Sequence, residues 1–132
     1  MTALRWVISF IFVINIYAMM LIMSILFLPY ALLTRKGAFV ACKTYARYVI
    51  WCARWMLGIR AEVRGKVPEG EVLVAAKHQS FFDILVIFNA LPASKFIMKQ
   101  EILYTPLIGQ YSYRLGCVPV RRGRRAEAIK RM

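Results

Sequence analysis

Val72-Leu73-Val74-Ala75-Ala76-Lys77-His78-Gln79-Ser80-Phe81-Phe82-Asp83-Ile84-Leu85-Val86-Ile87-Phe88 is the stretch whose reading decides the fold. Its first five residues are a short apolar run fit for a buried strand, and Ile84 to Phe88 continues as a helix or second buried segment. The only histidine of the chain therefore falls where a strand is expected to end, with a carboxylate five residues on. A turn into a helix N-terminus would fold Asp83 back against the imidazole, the geometry of a general base and the group that orients it. The same residues have a plain structural reading. Ser80-x-x-Asp83 is a capping-box pattern, with Ser80 as N-cap and Asp83 among unpaired amides at the positive end of the helix dipole. Both readings can hold at once, so the surrounding chain has to separate them.

Upstream, no charged residue occurs from Trp6 to Leu33. As a continuous helix this run is about 42 Å long against a hydrocarbon core of about 30 Å, enough to cross a bilayer with tilt. A cleaved signal peptide would have a shorter apolar core followed by a small-x-small site, which is not found, so a retained anchor is expected. Pro29 is expected to kink or end this helix. Arg35, Lys36, Lys43, Arg47 and Arg54 follow the anchor and only Arg5 precedes it, which by the positive-inside rule puts the rest of the chain in the cytoplasm. Lys36, Lys43, Arg47 and Arg54 fall within about 40° on a helical wheel, with Phe39, Trp51, Cys52, Trp55 and Met56 elsewhere on it. That predicts a basic amphipathic helix lying on a membrane surface; an ordinary helix with one solvated charged face has the same pattern.

Composition agrees. The 132 residues are 61% hydrophobic yet carry a formal net charge of +13, and no Asp or Glu occurs before Glu62. Such a chain suits anionic lipid headgroups or nucleic acid, and the one-sided distribution of charge favours lipid. No nucleic-acid-binding motif is present. Cys42, Cys52 and Cys117 lack metal or redox spacing and read as small buried hydrophobes in a reducing compartment, with Cys117 as an acyl-carrying nucleophile the lesser alternative. No ligand cluster for a metal is apparent.

Beyond Gly58, which ends the surface helix, short strands are expected to alternate with helices. Ile59 to Gly65 alternates as a strand, Pro68-Glu69-Gly70 turns, and Val72 to Ala76 is a second strand. A helix then runs to about Ala90. Lys95 to Lys99 is a third strand, followed by a helix from Glu101, interrupted at Thr105-Pro106 and resuming to about Leu115. Gly116 to Val120 is a fourth strand, and Arg121-Arg122-Gly123-Arg124-Arg125 opens a last helix. The expected fold class is α/β: residues 1–57 form a membrane helix and an interfacial amphipathic helix, and residues 58–132 a partial, mainly parallel α/β layer, with ligand sites at strand ends.

His78-x-x-x-x-Asp83 resembles the first motif of the glycerophospholipid acyltransferase family, most closely its bacterial lysophosphatidate (1-acylglycerol-3-phosphate) acyltransferases. Lys77 stands where the family more often has Asn. A longer block, Lys99-Gln100-Glu101-Ile102-Leu103, Pro106-Leu107-Ile108-Gly109 and Gly116-Cys117-Val118-Pro119-Val120-Arg121-Arg122, is similar to the family's second conserved region. By spacing, Arg122 matches that block's terminal arginine, and Arg121 replaces a commoner aspartate. The resemblance covers about residues 59 to 131, and the family's next motif, Glu-Gly-Thr-Arg, would lie beyond Met132, so the chain looks like the N-terminal part of such an enzyme.

The resemblance implies an O-acyltransferase of phospholipid biosynthesis at the inner face of the cytoplasmic membrane. Its donor is acyl-CoA or acyl carrier protein, its acceptor lysophosphatidate, and it needs no cofactor. His78 would be the base and Asp83 its orienter, attack being direct, without an acyl-enzyme. Lys99 and Arg122 would hold the acceptor phosphate, Arg bidentately and Lys as a point charge. Other readings of the chain are an acyltransferase acting on another lysophospholipid or an ornithine lipid, and a membrane-binding adaptor without chemistry.

Overall fold

A computed structural model describes residues 2–105 and 107–121. The chain is mostly helical. In order come α1 (Thr2–Leu33), α2 (Arg35–Cys52), a widened π-helical turn (Ala53–Leu57), α3 (Phe81–Ala90), β1 (Ile97–Lys99), a 3-10 turn (Gln100–Tyr104), α4 (Ile108–Leu115) and β2 (Val118–Val120). Two compact units share these elements. One joins the chain up to Met23 to Lys43–Ala93, and the other joins Ser24–Cys42 to the chain from Ser94 onward.

Helix α1 is long and apolar enough to cross a membrane. It passes through Pro29 and ends four residues later at Leu33, so the expected break comes at Thr34 instead. Thr34 serves both helices. Its N–H and its hydroxyl donate to the Tyr30 carbonyl at 3.0 and 3.2 Å, closing α1, and its Oγ1 accepts the Gly37 N–H at 2.9 Å, opening α2. This is N-capping by a threonine side chain. Gly37 is needed because a Cβ there would collide with the Tyr30 carbonyl, well inside van der Waals distance.

The structure gives the expected surface helix a protein partner. Ala38, Ala41, Ala46, Val49, Cys52 and Ala53 are buried, a stripe of small residues at helical spacing that allows close packing against a neighbouring helix. In the first unit, the Tyr45 hydroxyl donates to the Ile16 carbonyl at 3.1 Å and the Tyr48 hydroxyl to Asn15 Oδ1 at 2.8 Å, fixing the register of α2 on α1. In the second, Ala31, Ala38 and Ala41 form a core with Tyr111 of α4, whose hydroxyl donates to the Ser24 carbonyl at 2.8 Å. Arg47 of α2 and Arg54 of the π-helical turn remain exposed. Gly58, left-handed at φ 70°, ends the π-helical turn as expected.

β1 and β2 pair in parallel, Ile97 with Val118, Met98 with Pro119 and Lys99 with Val120, joined through the 3-10 turn and α4. The expected interruption is seen around Thr105, the 3-10 turn ending at Tyr104 and α4 beginning at Ile108, while Pro106 lies outside the described residues. Gly109 lies where a Cβ would strike the Leu103 carbonyl, and Leu107 holds φ 65°, a conformation costing a non-glycine residue about 1–3 kcal/mol. The strands expected at 59–65 and 72–76 do not form. Residues 58–80 are exposed, without regular structure. Alternation and apolarity make a segment fit for a sheet, but a strand exists only where a neighbour takes its backbone groups. Among the described residues nothing pairs with these two segments. Of the helix expected from Arg121, only Arg121 is described, without regular structure, and the rest lies outside the described residues.

Replacing Gly37 by Ala should loosen the turn between α1 and α2, at a cost of about 1–3 kcal/mol for forcing a methyl group into filled space. Thermal melting in detergent, followed by helical circular dichroism, should show an earlier transition, and an unchanged melt would mean that the turn is not tight there.

Candidate active site

Ser80, in extended backbone at φ −152° and ψ 164°, is the N-cap of α3. One turn in, Asp83 folds its carboxylate back over the helix start. Oδ2 accepts the backbone N–H of Gln79 at 2.7 Å and of Ser80 at 2.9 Å, while Oδ1 lies 2.9 Å from His78 Nδ1. The structural and the chemical readings of this motif are thus divided between the two oxygens of one side chain. These residues are the only histidine and the only aspartate in the sequence.

The Gln79 and Ser80 amides, with a smaller contribution from His78, hold the Asp83 carboxyl at about 2, below its ordinary 3.8. It is ionised near neutral pH and can only accept, so His78 Nδ1 carries the hydrogen of this contact. In the neutral imidazole Nε2 is then bare, the atom from which a proton can be taken. The His78 side chain is 63% exposed and that of Asp83 27%, so the imidazole is open to an incoming molecule and the carboxylate is tucked against the helix. Phe81, the first residue of α3, is exposed as well.

In the other unit Lys99 closes β1, and its ammonium lies 3.5 Å from Glu101 Oε1 with both side chains open to water. Such a pair is worth little and leaves the lysine available. Just past the strand ends, Arg121 Nε donates to Gln100 Oε1 at 2.6 Å. The carboxyl end of the two-stranded sheet therefore carries Lys99 and Arg121, where α/β sheets collect ligands. Arg121 had no assigned role in the sequence, and its tie to Gln100, across 21 residues, left no local signal there. Arg122 lies outside the described residues. Burial raises the pKa of the Cys117 thiol, and burial with a lesser effect of Cys117 pushes Cys42 up to about 12, so neither is a ready thiolate at neutral pH.

With the pair's geometry in place, comparison with known proteins gives it a setting. The family model described as Acyltransferase matches residues 59–132. This chain belongs to the acyltransferase family. The matched region contains His78, Asp83, Lys99 and Arg122. The chain is also similar to a 1-acyl-sn-glycerol-3-phosphate acyltransferase of Pseudomonas aeruginosa, 29% identical over 92 residues, which are 68% of this chain and 36% of that protein. The chain thus spans about a third of the length of this relative. No solved structure matches.

The depressed Asp83 carboxyl fixes the sign of a pH effect. Its hydrogen bonds stabilise the folded start of α3 fully above the ordinary carboxyl value of 3.8, and that contribution is lost as pH falls through about 2. A carbon-13 label on aspartate reports one residue. Its titration should have a midpoint near 2 in the folded protein, and a midpoint near 4 would mean that the amides do not hold the carboxylate.

Proposed function

We propose that the protein transfers an acyl group from a thioester, acyl-CoA or acyl carrier protein, to the free hydroxyl of lysophosphatidate, giving phosphatidate. Acyl transfer is supported by the family, and the acceptor by the name of the Pseudomonas relative. The observation that carries the reading is the contact of 2.9 Å between His78 Nδ1 and Asp83 Oδ1, which leaves Nε2 free on an exposed ring. An alcohol with a pKa far above 7 needs a base beside it as it attacks. On this reading Nε2 takes the hydroxyl proton as the oxygen bonds to the thioester carbon, and Asp83 stabilises the imidazolium as it forms. The C–S bond then breaks, and the leaving thiolate takes up a proton from the imidazolium or from water. Lys99 and Arg122 are the proposed partners of the acceptor phosphate.

The reaction is proposed to occur at the cytoplasmic face of the cytoplasmic membrane, with residues 1–57 as the membrane-seated part and the chain from residue 58 as the catalytic part. Along α1, Trp6, Phe10, Leu26 and Leu33 are 77%, 67%, 69% and 82% exposed, an apolar surface suited to lipid. The excess of Lys and Arg after this helix supports the cytoplasmic orientation.

Thiol release from acyl-CoA in the presence of lysophosphatidate tests the reading. His78→Ala should lower turnover by about 10²-fold or more, the usual contribution of a positioned base, and Asp83→Asn should lose less. Binding to anionic vesicles should be unchanged in both variants, because neither side chain belongs to the lipid-facing surface. Undiminished turnover in His78→Ala would remove the base assignment. Vesicle binding with no thioester turnover by the unaltered protein would favour the membrane adaptor instead.

A further inference from the structure

The proposed base stands at the start of one short helix, and that helix is held at its other end. From α2, the Lys43 ammonium donates to the Asn89 carbonyl at 2.8 Å and to the Leu91 carbonyl at 2.7 Å, and it lies 5.9 Å over the Phe88 ring. Carbonyls at a helix C-terminus lack intrahelical partners and form the negative end of the helix dipole, so a cation there is favoured twice. Burial, and secondarily the charge of Arg47, lower the pKa of Lys43, and these contacts act against that cost.

Leu85 and Phe88 of α3 are buried and its other residues from Phe82 to Ala90 are half-buried, so packing holds the body of the helix while Lys43 holds its C-terminal end. Residues 58–80, which lead into it, are exposed and without regular structure. We propose that Lys43 is a positioning residue for acyl transfer: by pinning the C-terminal end of α3 to α2, it sets the place of His78 relative to the membrane-seated helices from which a lipid acceptor arrives. This inference rests on the acyl-transfer reading.

The lever arm explains why one lysine matters. Phe88 lies about 10 Å along the axis from the first turn of α3, so a tilt of about 6° about it moves that turn by about 1 Å. A displacement of that size at the reacting atoms can cost about 10²-fold in rate. The His78–Asp83 contact would survive such a tilt, because it is made within the start of the same helix.

The test uses the whole protein in lipid–detergent micelles, comparing Lys43→Met, which keeps the stem and removes the charge, with Lys43→Arg, which can still donate to both carbonyls. Lys43→Met should lower kcat at least tenfold with KM for lysophosphatidate within about twofold. Its helical circular dichroism and the titration of its single imidazole resonance should match those of the unaltered protein. Lys43→Arg should recover most of the lost kcat. A kcat within twofold of normal in Lys43→Met overturns the proposal. So does a loss that merely parallels lost helicity, or a folded Lys43→Arg as impaired as Lys43→Met. If the Met variant does not fold, Lys43→Gln is judged by the same criteria. His78→Ala, assayed alongside, separates the two ideas: full turnover there removes the acyl-transfer reading, whereas an inactive His78→Ala beside a fully active Lys43→Met removes only the role of Lys43.

Discussion

The close packing of α2 on α1 is the constraint on which the rest of the chain leans. Two helices can approach closely only where side chains are small, and Ala38, Ala41, Ala46 and Ala53 supply that surface on α2. Small residues permit approach without choosing a register, so the choice falls to directional contacts. The Tyr45 and Tyr48 hydroxyls, bonded to the Ile16 carbonyl and to Asn15, make it in one unit. Thr34 and Gly37 make it in the other by allowing a turn with no spare residue. Downstream elements then use what the pair of helices offers, α3 the Lys43 ammonium in one unit and α4 the Ser24 carbonyl in the other.

Asp83 shows how structural and chemical demands can be met by one side chain without conflict. An N-cap interaction is worth about 0.5–2 kcal/mol, reason enough for a carboxylate at that position with no chemistry at all. What exceeds a cap is the use of the second oxygen. The amides that satisfy Oδ2 also keep the group ionised, and an ionised Oδ1 is what compels the imidazole to place its hydrogen on Nδ1. The cap therefore sets the tautomer of the histidine, and the folding of the helix start and the baring of Nε2 are one event.

Much of this was legible in the sequence because it is local. The pairing of His78 with Asp83, the stop at Gly58, the break around Thr105 and the short segments now seen as β1 and β2 all follow from spacing within a few residues. The failures are nonlocal. Residues 59–65 and 72–76 carry the alternation and apolarity of strands, yet these describe a surface that could pair and say nothing of the partner. The wheel of α2 was read by its charges, Lys36, Lys43, Arg47 and Arg54, when the alanines on the other side carry the packing information. Lys43 was counted with that charged face, although its ammonium is engaged across 46 residues with Asn89. Nothing in the neighbourhood of Lys43 in the chain announces that contact.

The exposure of the base has a consequence for how selectivity could arise on the acyl-transfer reading. A bare Nε2 on a ring 63% exposed can take a proton from water as well as from a lipid hydroxyl, and water attacking the thioester would waste the donor. Among the described residues, Phe81, three residues after His78, is an exposed apolar side chain. On the acyl-transfer reading, an acyl chain docking against such a side chain as the reactants assemble would help to exclude water. On that reading the placement of His78 would govern both the rate of transfer and how much of the donor is lost to water.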